Sequence, residues 1–143
     1  MDQDDVVEEG ALAIVQRFVG CFVAADLEGA LSLLDDDVVV HECESVPYPG
    51  DYRGKAAFTE LASEVRATWR FRGMPSIRFF GADGGAVAVI ENPAIARATG
   101  IPVDLRFTEV YTVRRGLITS IEMFYWDTAA MAAAVSESPT SAD

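Results

Sequence analysis

Basic charge is scarce in this chain, which has 11 lysines and arginines against 23 aspartates and glutamates and a net charge of −12. No Lys/Arg cluster stands ready to neutralise a phosphate backbone or an anionic surface, so neither nucleic acid nor a membrane is an expected partner. The densest basic group, Arg70, Arg72 and Arg78, reads as a solvated strand face. The two cysteines, Cys21 and Cys43, are too few for a disulfide framework and read as packed thiols. With one histidine, His41, and no Cys-x-x-Cys, no metal site is expected. A glycine-rich phosphate loop and a nucleotide fingerprint are also missing, so no cofactor is expected. No apolar run approaches the roughly 20 residues that span a bilayer. The first residues lack the basic and apolar regions of a secretory signal, which makes a reduced, cytoplasmic location the expectation.

What is present suits one globular domain. Half of the 143 residues are hydrophobic and 24% are charged, enough for a single core spanning 1–143, with 1–4 and 135–143 frayed. Val7, Ala11, Ile14, Phe18 and Phe22 recur at helical spacing and predict a helix over 5–24. Asp26 is placed to cap a short helix carrying Leu27, Ala30, Leu31 and Leu34. Asp35, Asp36 and Asp37 read as a solvated turn into a strand over 38–42. A third helix is expected over 55–69, with Leu61, Val65 and Trp69 on its buried side. From there the period changes to two, which predicts strands over 77–80, 86–90, 101–113 and 117–126. Pro93 must lie at an edge or bulge, because it has no N–H for a ladder. The order α-α-β-α followed by antiparallel strands gives an α+β cone: three N-terminal helices packed in a strongly curved, mostly antiparallel sheet.

The stretch 38–55, VVVHECESVPYPGDYRGK, organises the rest. A β-branched strand stops at His41 and Glu42 in a loop of prolines, glycines and tyrosines, a make-up that places polar groups at a mouth. The segment 15–42, VQRFVGCFVAADLEGALSLLDDDVVVHE, resembles the ketosteroid isomerase pattern of helix, second helix start, acidic turn and strand ending in an acidic pair. The block HECESVPYPGDYRGKAAF resembles the SnoaL-like consensus. The chain is thus similar to the nuclear transport factor 2-like superfamily, which includes ketosteroid isomerases, SnoaL-like polyketide cyclases and limonene-epoxide-hydrolase-like enzymes. The resemblance implies a general base at Glu42, longer than the usual Asp. It implies a protonated acid at Glu109 and an epoxide-hydrolase-like aspartate at Asp127. The isomerase oxyanion tyrosine falls on Phe18, which cannot donate a hydrogen bond.

The residues give a parallel account. Val103, Leu105, Phe107, Glu109, Tyr111 and Val113 share one strand face, so Glu109 projects with an apolar set and its pKa should rise. His41 and Glu42 point to opposite sides of their strand, and either is a candidate base, Glu42 the one expected to stay ionised at neutral pH. Tyr48 and Tyr52 sit where a loop over 45–53 would gate an entrance. Asp127 is equally an N-cap for a short helix over 128–135. The expected cavity is built from Phe18, Phe22, Leu61, Trp69, Phe107, Tyr111, Met123 and Tyr125. These features predict a cofactor-independent cyclase or isomerase acting on an apolar, polyketide-like carbonyl substrate. The alternatives are epoxide opening and a non-catalytic binding cone. A half-apolar outer sheet face predicts a homodimer.

Overall fold

A computed structural model of the chain describes residues 10–136; residues 5–9, expected to be helical, and residues 1–4 and 137–143, expected to be frayed, lie outside them. Helix α1 (Ala11–Val23) buries Ile14, Val15, Phe18 and Val19 along one stripe. Helix α2 (Leu27–Ser32) starts as expected, with the Asp26 carboxylate accepting from Gly29 N–H at 2.9 Å. It stops sooner than the sequence pattern indicates, because Leu34 already opens strand β1 (Leu34–Glu42). Asp35, Asp36 and Asp37 therefore belong to that strand and not to a turn. They lie where its register on the neighbouring strand shifts between Leu34 and Val39, an irregularity that lets three successive carboxylates avoid the core.

Helix α3 (Gly54–Thr68) ends one residue early, since Trp69 begins strand β3 (Trp69–Phe71). Trp69 is wholly buried there, so its place on a helix face is corrected to a place on a strand. Strand β2 (Gly50–Arg53) runs antiparallel to β1 and takes up half of the expected loop. Strands β4 (Ser76–Ala82), β5 (Gly85–Ala96), β6 (Pro102–Arg114) and β7 (Leu117–Tyr125) complete the sheet. The order is β2-β1-β7-β6-β5-β3, with β4 also on β5; only β1 and β7 pair in parallel.

Two long hairpins carry the curvature. Arg115 and Gly116 join β6 to β7 with φ of 54° and 77°, a left-handed pair whose twist matches that of the flanking strands. Pro93 lies inside β5, opposite Asp104 of β6. Pairing with β4 stops at Glu91 and pairing with β3 starts at Ala94, so Pro93 occupies the gap between two partners. Its carbonyl accepts from Arg72 N–H on that same side, so the missing N–H removes nothing from the β6 ladder.

A fourth helix, α4 (Thr128–Ser136), closes the described chain, so Val135 and Ser136 are helical and not frayed. Its Met131 and Ala134 are buried, and Thr99 Oγ1 donates to the Ala134 carbonyl at 2.6 Å. The architecture is the α+β cone expected, three helices cradled in a strongly curved sheet, with this extra helix added. No helix among the described residues is long and apolar enough to cross a membrane.

Candidate active site

Strand alternation sorts the sheet into two faces. Cross-strand pairs place Ala88, Glu109 and Met123 in one inward row, with Ile90, Phe107 and Tyr125 in the next. On β1, Val40 pairs with Ile121, so Glu42, two residues on, falls beside Met123. Glu42 and Glu109 therefore share a row, separated by one strand, with backbones roughly 10 Å apart. Both open into a cavity of about 440 Å³ between the helices and the curved sheet. The partial exposure of Glu109 is exposure to this cavity.

The walls are apolar. From the helices come Phe18, Phe22 and Leu61, and from the strands Trp69, Phe107, Tyr111, Met123 and Tyr125, all as the sequence predicts. Phe58 of α3 was missing from that set. Its ring packs edge-on to Phe22 at 5.7 Å and against Phe18 at 5.8 Å, which completes an aromatic wall. The signal for it was available, because Phe58, Leu61 and Val65 share a helical stripe.

Each carboxylate is held by a tyrosine. Tyr111 Oη donates to Glu109 Oε1 at 2.5 Å, and Tyr125 Oη donates to Glu42 Oε1 at 2.7 Å. Behind Glu42, Trp69 Nε1–H donates to Tyr48 Oη at 2.9 Å, and Tyr48 lies near enough to Tyr125 and Glu42 for their ionisations to affect one another.

Burial pushes the Glu42 carboxyl up from 4.5 to about 7; the Tyr125 hydrogen bond opposes the rise and the nearby Glu109 adds to it. Burial likewise raises Glu109 to about 7, opposed by Tyr111. The expectation that Glu42 is fully ionised at neutral pH is corrected to a group part-ionised there, because only 8% of it is exposed. Tyr111 and Tyr125 are pushed up, first by burial and then by neighbouring carboxylates; burial also raises Tyr48, where the Trp69 hydrogen bond opposes the rise and Glu42 adds to it. All three remain protonated donors at neutral pH.

Other expected site residues lie elsewhere. His41 projects from the opposite face of β1, where Nδ1 meets Asp51 Oδ1 at 2.9 Å across the β1–β2 pair. Asp127 caps α4, accepting from Ala130 N–H at 2.9 Å, and does not line the cavity. Tyr52 does not line it either; its hydroxyl donates to the Tyr48 carbonyl at 3.1 Å and so steadies Tyr48, which is buried and reaches the cavity. Asn92 and Arg97 of the β5 region, and Met74 at the rim, line it without having been expected. Among the described residues, no group of three or more metal-ligating side chains gathers at one point.

A family model described as a SnoaL-like domain matches residues 15–121. Solved structures share the fold. An NTF2-like protein from Burkholderia xenovorans is 22% identical, covers 87% of this chain and 95% of its own, and superposes with a TM-score of 0.79. A protein provisionally named a polyketide cyclase from a Silicibacter species is 21% identical over 90% of this chain and 97% of its own, with a TM-score of 0.75. A second protein so named, from Xanthomonas campestris pv. campestris, is 22% identical over 88% and 96%, with a TM-score of 0.72. No curated protein matches the chain.

Proposed function

The chain belongs to the SnoaL-like domain family, and from that premise we propose that it is a cofactor-independent cyclase or isomerase acting on an apolar carbonyl substrate. The observation that carries this reading is the pair Glu42 and Glu109, facing one apolar cavity, each hydrogen-bonded to a tyrosine and each raised to about 7. Two carboxyls at these values that feel each other titrate as a pair, so near neutral pH the singly protonated pair is well populated. One member is then a base and the other an acid.

Glu42 is taken as the base, at the strand end where the family resemblance places one, with its Oε1 accepting from Tyr125. It would take a proton from the carbon next to the substrate carbonyl, leaving an enolate and a neutral Glu42. Protonated Glu109 would donate to the enolate oxygen. The carbanion then attacks a second carbonyl, forming a ring bond while that carbonyl's π bond opens and its oxygen takes the proton held by Glu42, or is reprotonated at another carbon by Glu42. Each such group typically contributes 10²–10⁴-fold.

The alternatives have less support. Epoxide opening drew on Asp127, which caps a helix. A binding cone is favoured by a pocket sealed with side chains and an arginine paired to Glu109, whereas the cavity is open and the partner is Tyr111. The test is α-proton exchange of apolar bicyclic and tricyclic ketones in D2O, followed by NMR. The wild type should accelerate exchange at least ~100-fold for one of them, and Glu42→Gln should abolish the effect. Equal rates for the two proteins would refute the base assignment.

We also propose a homodimer through the outer sheet face. Phe80, Phe124 and Trp126 are exposed there, with Arg78 stacked on Phe80 and Arg106 on Trp126. Val87 and Val110 lie between them in register, which gives a face flat and apolar enough to be covered.

A further inference from the structure

Asn92 stands on the inner face of β5 and lines the cavity, four residues beyond Ala88, the cross-strand neighbour of Glu109. Its Oδ1 is shut off from the surface and has no hydrogen-bond partner among the described residues. A buried amide oxygen left unpaired costs roughly 1–3 kcal/mol. Its neighbours in the sheet offer nothing in return: the cross-strand neighbour is Leu105, and Ile90 and Ala94 flank it on the same face. Water would be poorly held among such groups, since a buried water needs two to four polar partners. Nothing among the described residues pairs with this oxygen, and leucine would fill the same place without leaving it orphaned.

We propose that Asn92 recognises a second polar group on the substrate, an O–H or N–H donor at the end remote from the carbonyl. The amide torsion is broad, so Oδ1 can turn into the cavity and accept from the ligand. Four residues at about 3.3 Å each put Asn92 roughly 13 Å along the strand from the Glu42–Glu109 row. The substrate class is then an elongated apolar body with an oxygen function at one end for the carboxyls and a hydrogen-bond donor at the other. Asn92 lies toward the Phe71–Pro75 side of the cavity, where Met74 is 76% exposed, so the donor end faces the rim. This inference rests on the acid–base reading above for the position of the first polar group.

The experiment is a calorimetric titration with 4-hydroxybiphenyl and 4,4′-dihydroxybiphenyl, which differ only in the distal hydroxyl. The wild type should bind the diol roughly 10–100-fold more tightly, because only the diol satisfies the orphan oxygen. Asn92→Leu should lose that preference and bind the mono-ol more tightly than the wild type does. The ligand-free Asn92→Leu protein should unfold at the same temperature or higher. A fall of several degrees would mean that the amide serves the fold, and would overturn the inference. So would equal affinities in the wild type, a diol preference kept in Asn92→Leu, or failure of both phenols to bind. The acid–base reading is judged separately by ketone exchange in Glu42→Gln. Loss of exchange there with the diol preference kept in Asn92→Leu removes this inference alone. Unchanged exchange with the preference erased removes that reading and leaves Asn92 as a ligand contact.

Discussion

Replacing Glu109 by glutamine should stabilise the protein at high pH and leave it little changed at low pH. An unfolded glutamate releases its proton near 4.5, while folded Glu109 keeps it to about 7. Between those values the folded state binds more protons than the unfolded state, so stability falls as pH rises and is flat above about 7. The rise from 4.5 to about 7, at 1.36 kcal/mol per pH unit, sets a ceiling of roughly 3 kcal/mol. Water entering the cavity lowers that figure, and about 1–3 kcal/mol is the expected loss. Glutamine has nearly the shape of the neutral acid and can still accept from Tyr111, so it should escape the loss. The assay is urea unfolding of both proteins at pH 5 and pH 8. With a net charge of −12, general repulsion also grows with pH, and Glu60→Gln, exposed on α3, measures that background. Glu109→Gln should lie within about 1 kcal/mol of the wild type at pH 5 and exceed it by about 1–3 kcal/mol at pH 8, beyond the Glu60→Gln change. If Glu109→Gln is no more stable than the wild type at pH 8, the buried-acid account is wrong.

Three other outcomes are expected. Once a turned-over ketone is identified, Glu42→Gln should lose nearly all activity, and Glu109→Gln should retain roughly 10–100-fold more than Glu109→Ala, because only the amide can still donate; equal mild effects at both sites would favour a binding cone. The rate should follow a bell centred near pH 7, since one carboxyl must be ionised and its partner protonated; a rate flat from pH 5 to 9 would exclude the pair. Sedimentation should show a dimer at micromolar concentration, and Trp126→Glu should shift it to monomer without unfolding, as Trp126 is 74% exposed on the outer face; a wild-type monomer would remove the interface.

Much of this was legible in the sequence, for reasons of period. The inward parity of Phe107, Glu109 and Tyr111 survives because β6 is regular through that stretch and its one register shift lies beyond, between Thr112 and Val113. The choice between His41 and Glu42 was not legible, because alternation says that they oppose each other without saying which side is the core. The pairing of β1 with β7 decides it. Trp69 was misplaced because the helical stripe of α3 runs straight into a strand, and no glycine or proline marks the change. Asn92 was missed because Pro93 made the strand seem to end early, whereas β5 continues past it by changing partners from β4 to β3. Tyr48 was placed in a lid, since its long-range bond to Trp69, 21 residues away, leaves no local trace.

The choice of tyrosine as partner for both carboxyls bears directly on what the cavity can do. An arginine beside Glu42 or Glu109 would add a full opposite charge, which lowers a carboxyl pKa by 1–3 units, and would hold it ionised throughout the neutral range. A neutral hydroxyl offsets burial only in part, so each group comes to rest near 7. The donors do not drift with pH, because Tyr111 and Tyr125 sit in the same dry wall and are themselves held protonated. The two pairs differ in what lies behind them: Tyr48, held by Trp69, stands beside Glu42 and Tyr125, and Glu109 adds to the rise at Glu42. In the reading proposed above, Glu42 carries the charge and Glu109 the proton. Replacing Tyr48 by phenylalanine would remove the hydroxyl that Trp69 holds beside Glu42 and Tyr125 while leaving both carboxyls in place. The division between base and acid should then blur, and the low-pH arm of the rate profile should move upward.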